Sequence, residues 1–284
     1  MSFDFPEMVT YLRTPLGDSV DVASMKILKE SFQDAKDKNV IASPLGVLTL
    51  LAMESAGAEG ENREEILRLV GTSDYKQLED NYANLTKNFV AMDPSYLVLA
   101  NKMYVSAQYT LNEKFSVVAS RSYKSDVERV NFAEKKKTAD SINKWAADKT
   151  KGHISSPVNE GTIDEDAALA LFNVIFFQGH WHVPFNAEKT EKKKKIRVIK
   201  TTFIWWRLPY KEKGFRMVIV LPDEKNGLPA VVEKLSQRGI LEDVFNLRPS
   251  GEEVALEMPK FEIQTSHNLN HILPKVNDNI TLAW

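Results

Sequence analysis

The sequence predicts an α+β fold in which N-terminal helices pack on a central, mostly antiparallel sheet. Apolar residues recur every three or four positions through the first part of the chain, which is typical of amphipathic helices. Residues 167–178 are apolar almost throughout and rich in Val, Ile and Phe toward the end, which favours a central strand covered on both faces. Because helices and strands mix without a regular βαβ repeat, we expect one domain over residues 1–284.

Two helices are predicted first. Helical spacing defines the first of them through Val22, Met25, Leu28 and Phe32. For the second, Ser43 is a natural N-cap and Pro44 stands where proline commonly begins a helix. This buried helix should run through Met53 and stop at Gly57.

The next elements follow from capping and from changes of period. Asn62 with Glu65 predicts a capping-box start for a short third helix. A fourth helix is indicated by Tyr75, Leu78, Tyr82, Leu85 and Phe89. Alternation then predicts a strand through Leu97, Leu99, Met103 and Val105. Helical spacing returns at Leu111, Phe115 and Val118, and again around Ile142 and Trp145.

The last third of the chain alternates between strands and helices. Besides the strand at 167–178, strands are predicted at 215–221, 254–258 and 261–263. A helix should run over 228–238 and be closed by Gly239. The tail contains a short helix that we expect Pro274 to break.

Composition excludes several classes of function. The 284 residues carry a formal net charge of only -2, so no global field indicates a nucleic-acid or membrane partner. Because there is no cysteine, disulfides, thiolate zinc sites and a cysteine nucleophile are excluded. No phosphate-binding glycine loop and no G-x-S-x-G elbow is present, and no nucleophile, base and orienting residue can be named together. We therefore predict neither an enzyme nor a cofactor.

Histidine pairs are the only pattern that suggests a metal. His180 and His182 would share one face of a strand, and His267 and His271 one face of a helix. No carboxylate is expected in register with either pair. Surface histidines are therefore the preferred interpretation, and no metal is predicted.

Two lysine clusters, at residues 135–137 and 192–195, have the charge to bind a polyanion. Glu134 and Glu191 stand beside them, and no aromatic residues are interleaved. Solvated loop lysines are the favoured interpretation.

Four segments in order resemble landmarks of the serpin family. They are NVIASPLG at 39–46, ANKMYV at 100–105, INKW at 142–145 continuing through Thr150, Gly152 and Ile154, and NVIFFQGHWHVPF at 173–185. The resemblance extends from about residue 20 to about residue 275. Each segment alone has a purely structural explanation, whereas a chance match of all four in order is improbable.

The resemblance implies where the family's functional regions lie. The "shutter" beneath the main sheet corresponds to Asn39, Ser43, Pro44 and Asn173, and the "breach" to Trp181. Three residues depart from the family pattern: Gly46 replaces a serine of the shutter, and Gln178 and His153 stand where lysine is common. The loss of a hydroxyl at Gly46 weakens the expectation of shutter behaviour.

The resemblance also implies serine-type endopeptidase inhibition by reactive-loop insertion. In that mechanism a cleaved bait loop adds as a new strand to the central sheet, where unpaired backbone groups gain partners. The only small-residue stretch here, 55–60, belongs to a helix end, and Trp284 comes before any alanine-rich hinge, bait loop or closing strands. The chain also looks shortened between about 190 and 208, where Phe203, Trp205 and Trp206 could patch exposed core. We therefore predict that it does not inhibit by covalent trapping.

Alternatives remain at this stage. The chain could be a non-inhibitory binding or chaperone-like member, with Trp205 and Trp206 lining an apolar site, or a fragment or splice form of a complete inhibitor. Serine proteases are the default partners of the family, and uncovered sheet edges make self-association of an otherwise monomeric chain possible. The family suggests an extracellular location, whereas the N-terminus shows no secretory signal and would leave the protein in the cytoplasm if Met1 is the native start.

Overall fold

The computed structural model describes residues 15–35, 38–186, 188, 204–212, 215–247, 256, 258, 265 and 267–276. The chain forms two compact units, and each consists of two stretches of sequence. One comprises residues 43–178 and 266–284, here called the sheet unit, and the other comprises residues 1–42 and 179–265, here called the hairpin unit. That the chain is a single domain stays a prediction.

The sheet unit contains most of the predicted helices. In chain order they are α2 (Pro44–Gly57), α3 (Gly60–Val70), α4 (Tyr75–Val90), α5 (Glu113–Tyr123), α6 (Lys135–Lys149) and α9 (Leu269–Val276). A short 3-10 turn spans Glu160–Thr162. The predicted α+β class is confirmed, and the helices at Pro44, Tyr75, Phe115 and Trp145 lie where the periodicity placed them.

Local chemistry explains where these helices begin and end. The Ser43 hydroxyl accepts the Gly46 N–H at 3.2 Å, so the predicted cap of α2 is confirmed. The predicted capping box at Asn62 is wrong, because α3 begins at Gly60 with Glu59 at its N-cap and no side-chain capping bond. The short α9 continues through Pro274, so the predicted break there is also wrong.

Three strands form the sheet of this unit: β1 (Leu97–Ser106), β2 (Ser125–Val130) and β3 (Leu169–Phe177). Their order is β2-β1-β3, with β1 parallel to β2 and antiparallel to β3. The predicted strand at 167–178 is confirmed, but within the described residues it lies at an edge of the sheet and not at its centre. β2 was not predicted, because four of its six side chains are polar and only one is buried.

Both faces of β3 pack against other elements, as its apolar composition predicted, although only Val174 of the strand is buried. On one face Ala170 and Phe172 pack against a cluster with Tyr104 and Ile142, and Val174 packs against Trp145 of α6. On the other face α2 lies against the strand. Burial on two faces explains why this segment lacks the polar alternation of a half-exposed strand.

The hairpin unit contains α1 (Pro15–Asp34), β4 (Ile204–Pro209), β5 (Arg216–Leu221), α7 (Leu228–Arg238) and α8 (Leu241–Asn246). The predicted helix at 228–238 is confirmed, with Gly239 at φ 81° as its stop. β4 pairs antiparallel with β5, which confirms the strand predicted at 215–221. β4 and α8 were not predicted.

Helix α1 contributes a buried acid to the hairpin unit. The Asp21 carboxylate is 8% exposed and accepts the N–H groups of Ile240 and Leu241, both at 2.8 Å, at the start of α8. Burial raises the pKa of Asp21, although these two backbone hydrogen bonds oppose the rise. Lys29 and Glu233 add an ion pair at 3.0 Å between α1 and α7.

Several predictions fall outside the described residues, including most of the strands at 254–258 and 261–263 and the lysines at 192–195. Phe203 and the side chains of Trp205 and Trp206 are also outside them. None of the helices in the described segments combines the length and apolar character that a bilayer span requires.

Candidate functional site

The candidate site of the sheet unit is a buried polar network between the sheet and the first turn of α2. Helix α2 starts there because Ser43 caps it and Pro44 occupies its first turn, which needs no backbone donor. Asn173 lies on the facing strand β3. The predicted residues Ser43, Pro44 and Asn173 are therefore brought into one region.

Gly46 lies at a close approach of α2 to β3. A Cβ atom placed on Gly46 would lie 2.1 Å from Oδ1 and 2.9 Å from Cγ of Asn173. Such distances are far inside van der Waals contact, so the Asn173 amide occupies the space that a side chain at this position would need. The departure from serine at this position thus has a packing reason: a residue with a side chain fits only if Asn173 moves.

A relay of hydrogen bonds leads from Asn173 across the unit. Asn173 Nδ2 donates to Asn101 Oδ1 at 2.8 Å, and Asn101 Nδ2 donates to the carbonyl oxygen of Tyr123 at 2.8 Å. The Tyr123 hydroxyl then donates to the carbonyl oxygen of Ala52 in α2 at 2.9 Å. The network therefore joins β3, β1, the end of α5 and α2.

Two members of this network are deeply buried, and Asn173 is partly buried. Asn101 is 2% exposed and Tyr123 is fully buried. Burial raises the pKa of the Tyr123 hydroxyl, so it stays a neutral donor. Buried amides and hydroxyls with complete partners specify one packing arrangement, because any shift leaves a polar group unpaired.

Sequence reasoning missed Asn101 and Tyr123 as members of the site. The signal for Asn101 was its position, since a polar residue stands in the predicted strand on the same face as the apolar Leu99 and Met103. Asn101 and Asn173 are opposite each other in the β1–β3 register and do not exchange backbone hydrogen bonds, an arrangement that brings side chains close together. Single-sequence reasoning has no access to this register.

An ionisable group with a shifted pKa lies on the same helix, α2. Burial raises the pKa of Glu54 from its ordinary value of 4.5 to about 7. At this pKa the carboxyl group changes its charge in the neutral range, which is unusual for glutamate.

Two of the predicted site residues belong to the hairpin unit. Asn39 is exposed there. Trp181 forms an isolated antiparallel bridge with Tyr210, and their rings stack with centroids 4.6 Å apart. Phe185 meets the Trp181 ring edge-on at 5.8 Å. The shutter role of Asn39, Ser43, Pro44 and Asn173 and the breach role of Trp181 stay predictions.

A carboxylate does accompany one histidine pair, contrary to the sequence prediction. Glu212 Oε1 lies 2.7 Å from His180 Nδ1, and Glu212 Oε2 accepts the backbone N–H of His180 at 2.9 Å. The hydrogen bond from the His180 side chain is the main cause that holds the pKa of Glu212 below its usual value. The other pair also differs from expectation, since His267 precedes α9 whereas His271 lies within it.

Neither pair forms part of a three-ligand cluster: across the described ranges, no three His, Asp or Glu side chains gather in a way that could hold a metal ion.

The lysines at 135–137 lie in the first turn of α6 and not in a loop, so that part of the sequence prediction is wrong. Each forms an ion pair, with Glu165 at 3.4 Å, Asp140 at 3.7 Å and Glu134 at 2.9 Å respectively. Exposed pairs of this kind contribute little stability, but their carboxylates neutralise the positive charge that would attract a polyanion.

Comparisons with known proteins agree with this architecture. The family model described as Serpin (serine protease inhibitor) matches residues 19–202 and 192–280. Antichymotrypsin-2 of Bombyx mori is 28% identical over 292 residues, covering 95% of this chain and 78% of that protein. Serine protease inhibitor 42Dd of Drosophila melanogaster is 29% identical over 265 residues, covering 84% of this chain and 69% of that protein.

Solved structures have the same fold. The structure of cleaved Serpin 42Da superposes with a TM-score of 0.79 at 24% identity, covering 92% of this chain and 75% of that one. A serpin from Tenebrio molitor superposes with a TM-score of 0.73, also at 24% identity, covering 92% of this chain and 76% of that one.

Proposed function

The chain belongs to the serpin family, and from this premise we propose that its 284 residues form an inhibitor-family scaffold that does not by itself trap a protease covalently. Family membership supports the class, because the matched family and relatives are named as protease inhibitors. Serine proteases are accordingly the proposed partner class.

The observation that carries the proposal is the outer edge of β3. In the described part of the chain, β3 pairs with β1 on one side and with no strand on the other. Loop insertion in this family would place a new strand beside this segment, so the acceptor edge is available. A donor is needed as well, and the 284-residue sequence contains no alanine-rich stretch of the kind that the resemblance calls for as a hinge.

The physical argument concerns the backbone hydrogen bonds that drive the insertion of a strand into a sheet. Strand addition is driven by pairing a row of free N–H and C=O groups and by burying alternate side chains. An acceptor edge without a mobile donor strand releases no such free energy, so an acyl-enzyme would be hydrolysed as for an ordinary substrate.

The test is incubation of the 284-residue chain with trypsin-like, chymotrypsin-like and elastase-like proteases, followed by denaturing gel electrophoresis. We expect cleavage products or intact chain and unchanged protease activity, while a complete inhibitor of the family serves as the positive control. A detergent-stable complex with any of the proteases would overturn the proposal.

A second candidate function is ligand binding without inhibition, and the aromatic cluster of the hairpin unit favours it. Beside the stacked rings of Trp181 and Tyr210, Val183 is 77% and Phe185 44% exposed. Exposed apolar side chains next to an aromatic platform suit a small apolar ligand. A thermal-shift screen of apolar compounds tests this: a ligand that raises the melting temperature of the native chain but not of a Phe185→Ser variant supports binding there, and equal shifts contradict it.

A further inference from the structure

The orientation of the β3 backbone follows from its two terminal hydrogen bonds. Ser106 N–H donates to Ala168 O at 2.9 Å, and Gln178 N–H donates to Tyr96 O at 2.7 Å. In an antiparallel pair, every second residue exchanges both of its backbone bonds with the partner strand. The even-numbered residues of β3 therefore bond to β1, and the odd-numbered residues direct their N–H and C=O groups to the opposite side.

Five odd-numbered residues lie in β3, and one of them, Phe177 at the end of the strand, has an interaction of its own. The inference depends on the outward groups of the other four: Leu169, Leu171, Asn173 and Ile175. Within the described segments, no backbone hydrogen bond is made by these groups. A row of donors and acceptors that have no partner in the described segments, on a strand whose two faces are packed, is a template for another strand. The open edge is thus held in a fixed geometry by the helices on either side.

The composition of β3 does nothing to block pairing. The strand LALFNVIFF contains no charged residue and no proline. Natural edge strands usually carry lysine, proline or a bulge, which prevent the addition of a second chain. Two uncharged strands also meet without any like-charge contact.

We propose that two copies of this chain associate through β3, with the strands antiparallel about a two-fold axis at Phe172. In this register Leu169 is opposite Ile175 of the partner subunit, and Leu171 is opposite Asn173 of the partner subunit. Both members of each pair direct their backbone groups toward the other strand, so the four pairs exchange about eight hydrogen bonds. No other register uses all four outward residues on both strands.

Symmetry makes the assembly closed. The same edge is used by both copies, so the contact is self-complementary and leaves no second copy of this edge free for further addition. The three strands of each copy join into one continuous sheet with the order β2-β1-β3-β3-β1-β2. The expected product is a discrete dimer and not a fibre. This proposal does not depend on whether the chain inhibits proteases.

The experiment has two readouts on the unmodified 284-residue chain. Analytical ultracentrifugation over a wide concentration range should show a species of twice 32.2 kDa. Hydrogen exchange measured at the two ends of that range should show at least tenfold slower exchange in peptides covering 169–177 at high concentration, with no change in peptides covering α4. A monomer throughout, larger polymers, or a dimer whose β3 exchange is independent of concentration would each overturn the proposal.

Two variants complete the test. Leu171→Pro removes an outward N–H that β1 does not use, and it should weaken dimerisation at least tenfold while far-UV circular dichroism is retained. Val117→Lys is the control, because Val117 is 54% exposed on α5 and a general hydrophobic association would be weakened there. Loss of the dimer in the control, or its persistence in folded Leu171→Pro, counts against the proposal. If Leu171→Pro does not fold, the exchange measurement on the native chain decides.

Discussion

Replacing Gly46 with alanine is the sharpest test of the buried network. The added Cβ would lie 2.1 Å from Asn173 Oδ1, against an ordinary carbon–oxygen contact of about 3.4 Å or more. The substituted backbone belongs to a helix packed on a sheet, so we expect the Asn173 side chain to move. That movement breaks its 2.8 Å hydrogen bond to Asn101, whose oxygen is then buried without a partner.

The magnitude follows from three contributions. Leaving the buried Asn101 oxygen unpaired costs about 1–3 kcal/mol. Forcing a methyl group into a filled site costs about 1–3 kcal/mol. Alanine is more favourable than glycine inside a helix by about 1 kcal/mol, and this gain offsets part of the two costs. We therefore expect Gly46→Ala to lower the free energy of unfolding by about 3 kcal/mol.

A double-mutant cycle distinguishes this explanation from a general effect. In an Asn173→Ala background the clash is absent, so Gly46→Ala should be neutral or stabilising by about 0.5–1 kcal/mol. Gly57→Ala is the matched control, because it lies at the end of the same helix and the nearest atoms to its Cβ would be those of the Phe115 ring, at 3.3 Å. Urea unfolding followed by circular dichroism measures all variants. An equal cost of Gly46→Ala in both backgrounds, or a cost below about 0.5 kcal/mol in the native background, would refute the reasoning.

Two further outcomes are expected from the same unfolding assay. Because burial raises the pKa of Glu54 from 4.5 to about 7, its stabilising contribution is complete below pH 4.5 and is lost as the pH rises through about 7. Glu54→Gln should therefore remove up to about 3 kcal/mol of the decline in stability between pH 5 and pH 8, and an unchanged pH profile would contradict this. Gly239→Ala should destabilise the hairpin unit by about 2 kcal/mol or more, because φ is 81° there and the Cβ would lie 2.1 Å from Asp21 Oδ2. The Gly227→Ala control should cost less, because φ is -77° there and the nearest atom to its Cβ would be Pro222 Cβ at 2.9 Å.

Much of the fold was predictable because it is encoded locally. Ser43 and Pro44 predict the start of α2, and Gly239 predicts the end of α7. The period of apolar residues identifies β1 and the helices around it. The errors have equally local causes. Asn62 resembles a cap, but Gly60 accommodates the positive φ of 58° at which α3 actually begins.

The site was less predictable because it depends on register and close approach. Asn101 and Asn173 are far apart in sequence, and only the β1–β3 pairing places them opposite each other. The reason for Gly46 likewise appears only when the Asn173 amide is seen beside it. Both asparagines lie in segments that carry the motif resemblance, but it implied a site role only for Asn173 and did not supply the contact between the two.

Asn173 links the two structural claims and also lets them be separated. Its side chain leaves β3 toward α2 and belongs to the network, whereas its backbone N–H and C=O lie in the plane of the sheet and point to the open edge. Asn173→Ala removes the first set of bonds and leaves the second intact. Loss of stability with dimerisation retained in this variant would therefore mean that the network holds the fold and the edge forms the interface, each through different atoms of one residue.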